Sequence, residues 1–233
     1  MNQLSEKLFG YAEHLLGYFR GLDLKWALLE PMISDRSLQL RYQGGGRSEG
    51  FAAIRQTMYF DCVLDIANLA FDNDDRTPSI RGVIAGLEDP RAKSELRHSY
   101  SELALTMEID PETTKRELDS ARIEWRAEHA RDFDERYERL LANWRSFCEQ
   151  RWVPGFQEIR DKVRGHFELK KVGQSYTPAV DISQLGLQWC DPGDAIRLME
   201  PIVLDLYLLI QRAAFYMAAS TSHFQRVAKE FWT

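Results

Sequence analysis

The sequence predicts an all-α protein, an up-and-down bundle of long antiparallel helices. Three observations carry that reading. Apolar residues recur at three- and four-residue steps over long segments, no strand-like alternation stands out, and Pro or Gly falls between the periodic segments.

The first segment, 3–30, sets Leu4, Leu8, Tyr11, Leu15, Phe19, Leu22, Trp26 and Leu29 on one face, with Pro31 as its stop or bend. Residues 43–48, Gln-Gly-Gly-Gly-Arg-Ser, read as a loop and lack the Gly-Lys-Ser/Thr ending of a phosphate-binding loop. Ser48 is placed to cap a second helix to about Phe71, striped by Phe51, Ile54, Met58, Cys62, Ile66 and Leu69. A calcium loop begun at Asp72 would have Thr77 where Gly is needed and Val83 where Glu is needed, so 72–75 reads as a solvated turn. Pro78 or Ser79 opens a third helix to about Glu88, and Pro90 the next, through Thr106 or Met107.

Asp110-Pro111-Glu112 starts a long charged helix to about Glu149, striped by Leu118, Trp125, His129, Phe133, Tyr137, Leu140, Trp144 and Phe147. Pro154 and Gly155 break the chain before a helix from about Phe156 to Phe167. Residues 170–191 read as an irregular excursion with a small hairpin at most. A last helix from about Gly193 to Ser220, bent near Pro201, and a short tail to Trp232 complete the layout.

At 233 residues the chain can bury a full core, and we read 1–233 as a single helical domain. Its 44% hydrophobic and 28% charged residues are ordinary for a globular protein. A net charge of −6 argues against gripping nucleic acid over a broad surface. Residues 151–171 run the other way: Arg151, Arg160, Lys162, Arg164, Lys170 and Lys171 outnumber Glu158, Asp161 and Glu168. Cys62, Cys148 and Cys190 form no metal-binding spacing, which fits a reduced, cytoplasmic setting. The charged N-terminal segment is no signal peptide, and Ile202–Ala219, broken by Asp205, Gln211 and Arg212, is too polar for a membrane span.

The stretch Arg160-Asp161-Lys162-Val163-Arg164-Gly165-His166 groups the side chains best suited to chemistry. Arg is a permanent cation with a planar fork of donors for phosphate. His exchanges a proton near neutral pH. Phosphodiester cleavage in RNA needs a base for the 2′-hydroxyl, a cation at the phosphate and an acid at the leaving 5′-oxygen. Spacing alone does not single out this pair, because Arg91 precedes His98 and Arg122 precedes His129 at nearly the same interval. Context does: Arg160 is followed by the short polar Asp161, and His166 is preceded by the small Gly165. In an unbroken helix the two would stand about 120° apart around the axis, so either the helix ends at Gly165 or the Arg side chain reaches across.

Arg-Asp-Lys-Val-Arg-Gly-His-Phe-Glu resembles the signature of the HEPN superfamily, helical proteins many of which are RNases of defence and toxin systems. It is most similar to the branch linked to phage abortive infection, as is the upstream segment Asp75-Arg76-Thr77-Pro78-Ser79-Ile80. The resemblance implies a metal-independent endoribonuclease without a cofactor. Its catalytic residues would be Arg160, Asp161 and His166, with Lys162 and Arg164 as RNA contacts. It also implies a homodimer with its cleft on the two-fold axis. Proton bookkeeping agrees, since one chain offers one motif His where an acid and a base are needed. A branch of the superfamily carries a modifiable Tyr two positions after the motif His; Glu168 stands here, so nucleotide modification is not expected, while a neutralising antitoxin of another kind stays open.

Two rival readings compete with this one. Glu95-Leu96-Arg97-His98 matches one Glu-x-x-His unit of di-iron bundles, but the chain has no second such unit. The stronger rival is a catalytically inactive docking or regulatory module, in which Arg160 and Arg164 merely pair with Glu158 and Asp161. For the dimer contact, Ile202–Ala219 and the motif helix are the candidate faces.

Overall fold

Helix α1 (Gln3–Ser34) is the spine of the bundle. The computed structural model describes residues 3–102, 115–163, 169–172, 175–178 and 185–233. Leu8, Leu15, Phe19, Leu22 and Leu29 on α1 are at most 2% exposed, and each contributes about 1.5–3 kcal/mol through burial. Tyr11 and Trp26, on the same stripe, are half-buried against that core.

After α1 come α2 (Arg36–Arg41), α3 (Gly45–Phe71), α4 (Ile80–Leu87), α5 (Pro90–Glu102), α6 (Lys115–Cys148) and α7 (Val153–Val163). A hairpin, β1 (Leu169–Val172) paired antiparallel with β2 (Ser175–Pro178), precedes α8 (Asp191–Gln211) and α9 (Met217–Trp232). Helix α1 packs on α8, α3 and α9; α6 packs on α8 and α5; α7 lies against α3. The fold is therefore the predicted helical bundle, with one short hairpin.

Local chemistry sets the helix starts. Asp35 caps α2 by accepting from the Ser37 and Leu38 N–H groups, and Ser79 caps α4 by accepting from Gly82 N–H. Asp89 accepts from Arg91 and Ala92 N–H at the head of α5, just before Pro90. Gly44, at the head of α3, has φ 95°, a left-handed conformation that side chains resist.

Several boundaries differ from the sequence reading. Helix α1 runs through Pro31 to Ser34, where one missing N–H costs little near the helix end and Met32 gains full burial. Helix α2 was not anticipated, and α3 begins at Gly45 with Ser48 inside it. Ile54, expected on the buried stripe, is 53% exposed. Helix α7 includes Pro154 and Gly155 in its first turn, where Pro lacks no needed donor. The expected final helix is two: α8 passes Pro201 and ends at Arg212, which is left-handed (φ 59°), and the supposed tail is the 16-residue α9. The expected starts near Pro111 and ends near Met107 lie outside the described residues. So does the expected end of the motif helix at Phe167.

Of the segment 202–219, a candidate dimer face, Ala213, Ala214 and Tyr216 are exposed. Ile202, Val203, Leu206, Leu209 and Ile210 are at most 1% exposed, so α8 is core over this part. Its docking depends on a close approach at Gly193, where an added Cβ would lie 2.4 Å from Trp26 Cζ2. Gly193→Ala should gain about 1 kcal/mol of helix propensity but lose more, about 1–3 kcal/mol, through overpacking. The expected result is a lower urea midpoint with an unchanged slope.

Candidate functional site

Helix α7 ends on the predicted motif. Val153, Phe156 and Ile159 bury one face of it, which fixes the direction of Arg160 on its last turn. The Arg160 side chain is only 18% exposed. Its Nη1 donates to the Phe71 carbonyl at 2.7 Å, while Nε donates to Asp161 Oδ1 at 2.8 Å and Nη2 lies 2.7 Å from the same oxygen. Phe71 closes α3, so this carbonyl lies at the helix's negative end, where a cation is favoured.

A second arginine rests on the same residue. The Arg81 guanidinium lies over the Phe71 ring at 4.9 Å and donates from Nη1 to Asn73 Oδ1 at 3.2 Å. Phe71 is itself wedged against Trp144 and Phe147, with ring centroids at 5.5 and 5.9 Å, so Arg81 sits on a packed aromatic ring whose backbone carbonyl holds Arg160. Between α3 and α4 the chain turns through two successive Asx turns: Asp72 accepts from Asp74 N–H, and Asp74 from Arg76 N–H. Ser79 Oγ donates to the Asp72 carbonyl at 2.7 Å and fixes the entry to α4. This is the solvated turn expected for the acidic run. The motif helix and the segment Asp75–Ile80 are thus held together through Phe71 and its turn.

The remaining predicted residues separate into two groups. Lys162 forms an i,i+4 ion pair with Glu158 at 2.7 Å. Arg164 and His166 lie outside the described residues, as do Gly165 and Glu168. His129 meets Trp125 with tilted rings at 4.5 Å and Tyr100 edge-on at 6.2 Å, which is packing. His98 is exposed on α5, and Glu95 accepts from Ser5 Oγ at 2.9 Å. Burial pushes the Cys148 thiol up, against the opposing charge of Arg81.

Among the described residues one cluster, Cys190, Asp191 and Asp194, has the spacing for a metal. Asp191 is already committed there, accepting from Arg151 Nη2 at 2.5 Å and from Gln188 N–H at 2.7 Å. Sequence reasoning missed Phe71 and Arg81. Arg81 directly follows the upstream segment, but its contact with Phe71 is tertiary and leaves no periodic trace.

A helical bundle that ends a short helix on Arg-Asp-Lys, and joins it to an Asp-Arg-Thr-Pro-Ser-Ile turn, defines a HEPN-type protein. The family model described as AbiU2 matches residues 5–231, and the chain belongs to this HEPN family, associated with abortive infection. The comparisons with curated proteins and with solved structures gave no match. Among the described residues no helix is long and apolar enough to cross a membrane.

Proposed function

We propose that the protein is a metal-independent endoribonuclease of a phage-defence or toxin–antitoxin system, cleaving RNA by attack of the 2′-hydroxyl. The observation that carries the reading is the family match over 5–231, with Arg160 held on the Phe71 carbonyl at the end of α3 and Arg81 over the Phe71 ring. Asp161 supports it by holding the Nε–Nη2 edge of Arg160, which fixes the guanidinium plane and leaves one N–H on each terminal nitrogen for phosphate.

In the proposed step His166 takes the 2′ proton, the 2′-oxygen bonds to phosphorus, and the 5′-oxygen leaves with a proton from a second acid. Arg160 offsets the charge on the phosphate oxygens. The products are a 2′,3′-cyclic phosphate and a 5′-hydroxyl. Lys162 and Arg164 contact flanking phosphates. The second acid is His166 of a second copy, so the active species is a homodimer with a cleft on its two-fold axis.

Purified protein incubated with single-stranded RNA in EDTA should produce cyclic-phosphate ends and leave DNA intact. A requirement for a divalent metal, or equal cutting of DNA, would sink the mechanism. Light scattering should give twice 27.1 kDa, and a fully active monomer would refute the shared cleft.

One observation favours the rival reading, a catalytically inactive docking module. Arg160 makes its contacts within the chain and is largely covered. On that reading Arg160 is a helix-end clamp, and RNA remains uncut under every condition above.

A further inference from the structure

At the other end of α3 from Arg160, the charge balance reverses. Helix α2, the first half of α3 (45–58) and α9 carry Arg36, Arg41, Arg47, Arg55, Arg226 and Lys229 against only Glu49 and Glu230, on a chain of net charge −6. Among the described residues none of these six cations makes an ion pair, in contrast to Arg97, paired with Asp134, and Arg139, paired with Asp205. Asp35, at the edge of the group, is occupied in capping α2. Five of the six are arginines, whose planar fork suits phosphate and also stacks on bases.

These cations are interleaved with aromatic rings. Tyr42 stacks on Phe51 at 4.9 Å with 13° between planes, and Phe51 meets Trp232 edge-on at 6.5 Å. Arg41 Nη1 donates to the Trp232 carbonyl at 2.7 Å, which ties α2 to the end of α9. One turn along α3 from Phe51, Arg55 lies over Trp189 at 4.8 Å. Phe231 is 68% exposed and Trp189 42%, with Leu40 and Ile54 exposed nearby along the same elements. Large exposed apolar groups cost solubility, and unpaired arginines beside aromatics form the arrangement on which single strands bind: phosphate on cation, base on ring.

We propose that this end of the molecule is a second RNA-binding surface, a platform that holds single-stranded RNA away from the cleavage site. The choice of RNA rests on the nuclease reading above; the surface itself rests on its cations and rings. From Phe51 to Phe71 the helix rises about 30 Å, which a strand at about 3.4 Å per nucleotide covers in about nine nucleotides. The platform therefore acts on long substrates, and an otherwise acidic protein gains a directional hold on RNA without a basic overall charge.

The test is fluorescence anisotropy of the full-length chain with a 20-nucleotide single-stranded 2′-O-methyl RNA, which has no free 2′-hydroxyl and stays uncut. Arg36 and Arg47 are exposed and their side chains make no hydrogen bond or ion pair among the described residues, so Arg36→Glu/Arg47→Glu leaves the fold intact, to be checked by circular dichroism. The double variant should bind at least tenfold more weakly, and its log–log salt slope should flatten by about 1.4, the loss of two phosphate contacts. Phe231→Ala should weaken binding without moving that slope, because it removes stacking and no charge. Unchanged affinity in the double variant overturns the platform, whatever the nuclease assay shows. So does tighter binding of an acidic peptide than of RNA at the same residues. Binding with these signatures by a protein that cuts no RNA would keep the platform and remove the nuclease.

Discussion

Arg160→Ala should reduce RNA cleavage by at least about 10²–10³-fold, the usual cost of removing a group that meets transition-state charge. The same substitution should loosen the molecule, because Arg160 Nη1 is hydrogen-bonded to the Phe71 carbonyl at the end of α3. A hydrogen bond to a charged group is worth about 1.5–3 kcal/mol, so denaturant melts should show a loss in that range. Arg160→Lys separates the two effects. Lysine keeps the charge but cannot serve both Asp161 and the Phe71 carbonyl with a planar fork. It should recover part of the stability and little of the activity. If Arg160→Ala lowered stability but left cleavage at the wild-type rate, Arg160 would be a clamp and nothing more. Arg81→Ala is the companion measurement: it removes the second cation from Phe71 and should raise KM more than it lowers kcat, because Arg81 is bonded to Asn73 and serves to position.

What the sequence made legible follows from how local each feature is. The stripe Leu8, Leu15, Phe19, Leu22 and Leu29 is a periodic signal, and all five are buried. The helix starts expected at Pro78 or Ser79 and at Pro90 are local signals too, and α4 begins at Ile80 and α5 at Pro90. The end of α8 was missed because its left-handed residue is Arg212, where a glycine would have announced the stop. Pro31, Pro154 and Pro201 were read as breaks or bends, yet each lies inside a helix, near an end or where surrounding burial outweighs one lost hydrogen bond.

The site divides in the same way. Arg160 and Asp161 could be named because they are neighbours in a recognisable run, and they are in contact. The role of Phe71 could not be read, because 89 positions separate it from Arg160 and only packing of α7 on α3 joins them. The six cations around α2, α3 and α9 also escaped notice, since 36–58 and 217–232 are far apart in the chain and neither is strongly basic alone.

The largest stability effect is expected at Asp191. This carboxylate is fully buried at the first turn of α8, where it accepts from Arg151 Nη2 and from Gln188 N–H. It also lies at the favourable, positive end of the α8 dipole. Arg151 belongs to the turn between α6 and α7 and donates as well to the Gly186 carbonyl at 3.1 Å. One carboxylate therefore gathers the turn before the motif helix, the chain at 186–188 and the head of α8. Asp191→Ala removes two hydrogen bonds to a charged group, each worth about 1.5–3 kcal/mol, and leaves the Gln188 N–H over a buried gap, while the half-exposed Arg151 guanidinium turns to water. Asp191→Asn keeps the shape and one acceptor, loses the charge, and should fall between the two. Urea titration of the three proteins should rank them wild type, Asn, Ala. Because Arg151 and Trp152 lead directly into α7, the Ala variant should also lose RNA cleavage at temperatures well below its unfolding midpoint. An Ala variant as stable as wild type would show that Arg151 and Asp191 do not hold this junction together.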